Sequence, residues 1–222
     1  PYGKGWGGCT VNPKMWTVYG AGDARREASI INLDSEGIAD DSEYAKSYAD
    51  QREYTGYTVK KYTPMSKWVK DEKSGAWSIV DEVSGLGKGD FQISQYQDFI
   101  VMRYADVLLM AAELGSPSAQ AYLNQVRQRA YTVNDGKGNL SVSGDYREVA
   151  VTKENIIKER MLEFAFEGQY WYDLLRLYSR QELLEHMKAK NPNFSAKDFL
   201  LPIPYDEHKL DPTRMYQNEG YN

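Results

Sequence analysis

At residue 98 the chain changes its period. Before Asp98 it is broken by Gly, Pro and turn-forming pairs; after it, apolar residues recur at helical spacing. Tyr104, Val107, Leu108 and Ala111 define a first helix, and Gly115 stands where a C-cap glycine belongs. Ser116-Pro117 supplies an N-terminal signal for a second helix, with Ala119, Leu123, Val126 and Ala130 along one face. Helix, turn and helix, about residues 98–131, have the length of one tetratricopeptide repeat. Such a unit cannot bury its apolar faces alone, since roughly three repeats are needed for stability. Either the remaining helices lie outside this chain, or the irregular first half covers the open face. With the abrupt start at PYGKGWGGCT, this is expected of a carboxy-terminal piece of something longer.

Further signals fill in the plan. Tyr57 and Val59 alternate with Thr58 and Lys60, predicting a short strand at 56–62, and 77–80 reads as another. Asn134-Asp135-Gly136 marks a hairpin turn. Thr152 is placed to cap a helix running to about Phe166, with Ile156, Ile157, Met161 and Phe164 inward. The aromatic-rich stretch EFAFEGQYWYDLLRL (163–177) reads as the packed corner between two helices rather than as a stacking platform. In it Phe164 closes one inward face, Gly168 makes the turn, and Trp171, Leu174 and Leu175 begin the next. Glu163, Glu167, Asp173 and Arg176 are placed to cap or pair around that corner. Proline at 202, 204 and 212 predicts an extended tail laid over the body.

Composition excludes several classes of function. A formal net charge of −5 over 222 residues gives no basic face for nucleic acid. No apolar run approaches the roughly 20 residues of a membrane-spanning helix. Two histidines and one cysteine do not make a typical zinc site. Gly3-Lys4-Gly5-Trp6-Gly7-Gly8 matches the dinucleotide fingerprint in letters only, because no strand precedes it and no helix follows. The acid pairs Asp40-Asp41, Asp71-Glu72 and Asp81-Glu82 read as solvated loop acids, because neighbouring side chains diverge and do not flank a glycosidic bond. The 134–139 segment fails EF-hand spacing. No cofactor is expected.

What remains is aromatic, with 18 Tyr and 5 Trp. Trp6, Trp16, Trp68, Trp77 and Tyr57 fall in the irregular segment, where binding residues on a rigid scaffold concentrate. Their flat amphipathic rings suit pyranose faces. These five are the candidate ligand residues, and the bland alternative is that several are core for a region short of aliphatics.

Seven motifs, in order, resemble the carboxy-terminal half of SusD/RagB-type proteins. They are GWGGCTVNPKMW (5–16), GDARREASI (22–30), TGYTVKKY (55–62), RYADVLLMAAEL (103–114), AQAYLNQVRQRA (119–130), IIKERMLEFAFEGQYWYDLLRL (156–177) and LLPIPYDEHKLDPTRMYQNEGY (200–221). Gln169 and Tyr170 stand where that family often has His and Arg, and Glu219 where it often has proline. The resemblance implies a mainly α, SusD-like fold: tetratricopeptide-type helix pairs with a large loop-rich region and one or two short β-hairpins. Residues 1–97 would be the ligand-facing region, and 98–222 the helical region with its extended tail. It also implies a non-enzymatic, lipid-anchored protein on the extracellular face of the outer membrane. Such a protein binds glycans, or alternatively peptides, for import through a TonB-dependent transporter of the SusC type. A further alternative is a helical interaction module serving mainly transporter assembly. Signal peptide, lipid-bearing cysteine and most of the helical half would precede residue 1. Ligand residues vary within the family and carry over to no position here.

Overall fold

A computed structural model describes residues 8–36, 53–63, 66–75, 77–82, 98 and 100–221. It divides into two compact units, residues 1–170 and 171–222.

In the first unit, α1 (Pro13–Val18) opens with Asn12, whose side chain accepts from the Lys14 amide at 3.0 Å, and proline fills the first helical position. α2 (Arg25–Ser29) runs directly into β1 (Ile30–Asn32), which pairs antiparallel with β2 (Tyr57–Val59) in the register Ile30 to Val59 and Asn32 to Tyr57. β3 (Ser66–Lys70) and β4 (Trp77–Glu82) form a separate hairpin with a bulge at Lys67/Trp68. The Asp71 carboxylate closes its turn by accepting from the amides of Lys73 and Ser74.

The helix pair follows. α3 (Tyr104–Glu113) ends in a Schellman motif: Ser116 N–H donates to Ala111 O and Gly115 N–H to Ala112 O, with Gly115 at φ 73°. α4 (Ala119–Ala130) packs back on it, burying Leu123, Val126 and Ala130 as the spacing predicts. On α3 the buried face differs from the expected one. Leu108, Leu109 and Ala112 are buried, whereas Tyr104 and Val107 are 69% and 43% exposed. Four successive apolar positions, 107–110, satisfy two overlapping helical faces, and contact with α4 and Phe164 selects between them. β5 (Thr132–Asn134) and β6 (Leu140–Val142) flank the expected hairpin turn, which Asp135 closes by accepting from Lys137 N, Asn139 N and Asn139 Nδ2.

α5 (Lys153–Glu163) starts at Thr152, whose hydroxyl accepts from Asn155 N. Its residues serve two apolar clusters. Phe164, just past its end, joins Leu108, Leu109, Ala112, Leu123 and Val126. Leu162 and Ala165 join Val11, Tyr19 and Ile30 on the other side.

The second unit holds most of α6 (Tyr170–Leu177), then α7 (Arg180–Lys190) and a tail. Leu174, Leu183 and Phe194 are buried, with Phe194 edge-on to Trp171 and Phe199. Leu175, expected inward, is 39% exposed. The tail is extended apart from a 3-10 turn (Ala196–Phe199), the four-residue α8 (Tyr205–His208) and isolated turns. It clasps itself. Gln217 accepts from Ile203 N and donates to Ile203 O, Asn218 donates to Leu201 O, and the Tyr221 hydroxyl donates to Leu200 O.

Candidate ligand-binding site

Three of the five candidate residues, Tyr57, Trp68 and Trp77, fall on two separate ribbons, and Trp16 lies on α1. Trp16, on α1, meets Tyr57, on β2, with ring centroids 5.3 Å apart. Arg26, from α2, sets its guanidinium 4.9 Å from the Trp16 ring centre. Both rings are half-buried and pack against the cluster of Val11, Tyr19 and Ile30, so part of their surface is already spent on the core. Sequence reading missed Arg26, whose placement depends on the α2–β1 junction rather than on local spacing.

Trp68 and Trp77 lie on the β3–β4 hairpin. Trp68 pairs with Ile79 and Trp77 with Lys70. The period of two along each strand places positions 68, 70, 77 and 79 on one face of that ribbon. Trp6 lies outside the described residues, as do Asp40-Asp41 and all of the glycine-rich 3–8 segment except Gly8.

α5 carries a feature that the residue pattern only hints at. Glu159, Glu163 and Glu167 recur every fourth residue, so the first two share one face of α5 and the third continues past its end. Glu159 and Glu163 are almost wholly buried. Arg25 donates through Nη1 to Glu159 Oε1 at 2.7 Å and to Glu163 Oε2 at 3.1 Å. It also grips Asp23 through Nε and Nη2 at 2.9 and 2.7 Å. Arg127 donates to Glu159 Oε2, and Arg129 to Glu163 Oε1. Arg103 donates to Glu163 Oε1 at 2.9 Å and holds both oxygens of Glu167 at 2.8 and 3.1 Å. Lys61 reaches Glu167 Oε1 at 2.7 Å and the carbonyls of Glu163 and Ala165, so cations meet the negative end of α5.

Electrostatics follow from these contacts. Burial opposes ionisation of Glu163, but the Arg103 hydrogen bond and the charges of Arg129, Arg25 and Arg103 outweigh it and hold the carboxyl below its ordinary value. Burial likewise opposes the charge on Arg25, and Asp23, Glu159 and Glu163 more than reverse that, so its pKa is raised. Burial pushes the Tyr19 phenol up to about 12; its hydroxyl donates to Leu162 O. Nearby, Phe164 receives Arg103 and Arg160 at 4.7 and 5.0 Å from its ring centre, and Arg160 is paired with the buried Asp106 at 2.7 Å. Of the four residues placed to cap or pair around the corner, Asp173 and Arg176 pair with each other at 2.9 Å.

This fold of short helices, small ribbons and a helix pair, with aromatics on the ribbons, places the chain in a known class. The SusD family profile matches residues 1–221, and the chain belongs to that family. SusD-like protein P2 of Formosa agariphila is 31% identical over 228 residues, covering 99% of this chain and 41% of that protein. Surface glycan-binding protein A from Bacteroides thetaiotaomicron superposes with a TM-score of 0.69 at 26% identity, over 98% of this chain and 42% of its own. Its complex with laminarihexaose gives 0.68 at the same identity and coverage. The same-named protein from Bacteroides fluxus gives 0.68 at 25% identity, over 99% of this chain and 42% of its own. The chain therefore spans about two fifths of the length of these relatives.

Proposed function

We propose that this chain is the ligand-holding part of a non-catalytic surface protein that captures glycan chains. The protein delivers them to a TonB-dependent transporter of the SusC type and is anchored to the outer membrane, extracellular face outward, by a lipid outside this chain. The observation that carries the reading is the likeness, over 98% of the chain, to a surface glycan-binding protein whose structure holds laminarihexaose. Trp16, Tyr57, Trp68, Trp77 and Trp6 are the ligand residues of this reading. Each stacked ring contributes on the order of 0.5–1.5 kcal/mol beyond burial. That implies weak affinity per ring and suits a protein that must release its cargo. Trp16 and Tyr57 spend part of their surface on the core, and in this reading the hairpin residues Trp68 and Trp77 carry the larger share.

Affinity electrophoresis against a glycan panel headed by laminarihexaose tests the reading. Retarded migration in one or more glycans is the expected result. A blank across glycans, with peptides bound instead, moves the chain to a peptide-uptake role. No ligand of either kind leaves a helical interaction module.

A further inference from the structure

The carboxylates on α5 are shared between two sides of the first unit. One side is the layer of residues 8–33 and 53–63, which contributes Arg25 and Lys61. The other is the helical group, which contributes Arg103, Arg127 and Arg129. We propose that this ladder is a two-sided latch. The layer is a cooperative unit held shut on α5 by Arg25 and Lys61, and it opens while α3, α4 and α5 stay packed.

The distribution of charge carries the argument. Arg25 does not depend on α5 for a counterion, because Asp23, two residues away in the same layer, holds it through two bonds of 2.9 and 2.7 Å. If the layer lifts, Arg25 leaves as a paired ion. On the helical side Glu159 keeps Arg127, Glu163 keeps Arg103 and Arg129, and Glu167 keeps both bonds to Arg103. Three carboxylates stay with three arginines. Lys61 alone departs without a carboxylate of its own in the ladder, and its ammonium moves toward water. Every buried carboxylate on the plane thus keeps an arginine and the one unpaired charge, on Lys61, passes to water, avoiding the large penalty of stranding a buried charge.

One of the two main apolar clusters lies wholly on the helical side of that plane, and the other straddles it. Leu108, Leu109, Ala112, Leu123, Val126 and Phe164 form a cluster with no residue from the layer. The layer is knit internally by the β1–β2 pairing and by Val11 N–H donating to Tyr57 O. Its joints to the helices are the seam where Met161, Leu162, Ala165 and Phe166 meet Val11, Tyr19 and Ile30, Ala24 N–H donating to Ala130 O, the Tyr19 hydroxyl on Leu162 O, and the latch. Cooperative units in native proteins part along seams between internally knit groups.

Amide hydrogen exchange on the intact protein tests the latch, using Arg25→Met, Lys61→Met and, as a control, Arg127→Met. With Arg25→Met the layer amides of Ala24, Leu33 and Lys60 exchange at least about a hundredfold faster, while Leu114 and Tyr122 on the helix pair stay within about twofold of their rates. Lys61→Met, which removes one ion pair and two carbonyl contacts, gives the same pattern at about tenfold. Should Arg25→Met not fold, Lys61→Met decides. Arg127→Met leaves the layer amides unchanged. Layer and helix amides accelerating together, neither accelerating, or both layer-side variants failing to fold would each overturn the latch.

Discussion

Glu163 receives three arginines on one carboxylate, and each comes from a different segment of the chain. Because its pKa lies below the ordinary 4.5, its stabilising contribution is complete above that value and is lost as pH falls through the lower folded value. Melting temperature is therefore expected to drop as pH is lowered from about 5 to about 3, and Glu163→Gln is expected to start lower and fall less steeply. A thermal melt series over that range checks both. An equally steep fall in the variant would assign the acid sensitivity elsewhere. At the same corner Gly168 sits at φ 76°, and a Cβ added there meets nothing within 4 Å. Gly168→Ala then incurs backbone strain alone, about 1–2 kcal/mol in a denaturant melt, and the β-branched Gly168→Val at least as much. The EFAFEG letters gave away the turn and the inward Phe164. They did not give away Phe166, which takes φ 66° and packs on the Val11–Tyr19–Ile30 cluster. Nor did they name the partners of Glu163, because Arg25, Arg103 and Arg129 lie 138, 60 and 34 residues away. Local pattern carries no record of such pairings.

Elements whose ends carry strong local chemistry were legible. The Gly115 stop, the Thr152 cap and the Asn134-Asp135-Gly136 turn all stand where the residues put them. α7 was readable but overlooked: Ser179 and Glu182 form a capping box, with Ser179 N–H donating to Glu182 Oε2 at 2.8 Å and Glu182 N–H to Ser179 Oγ at 3.3 Å. Ser179→Ala should destabilise the second unit by about 1 kcal/mol, measurable by chemical denaturation. The face of α3 was the harder problem, since periodicity alone admitted Tyr104 and Val107 as core. With Leu114 at 84% exposure they instead line an open apolar stripe. Leu114→Lys is accordingly expected to change stability by no more than about 0.5 kcal/mol and to reduce self-association in light scattering.

For the whole molecule, the family and the mainly helical architecture follow from seven motifs that the chain keeps in order, and relatives confirm both. The ligand residues do not follow in the same way, because a tryptophan in a glycine-rich segment looks alike whether it packs or binds. Structure separates the Trp16–Tyr57 pair, backed by Arg26 and the core, from the hairpin positions of Trp68 and Trp77. Calorimetry with laminarihexaose, on the protein and on its Trp68→Ala/Trp77→Ala double variant, tests the glycan-binding account most directly. The account predicts saturable heat for the protein and a Kd weakened about fivefold or more in the variant, from two stacked rings of about 0.5–1.5 kcal/mol each. No heat with this or any other glycan, or an unchanged Kd in the variant, would contradict it.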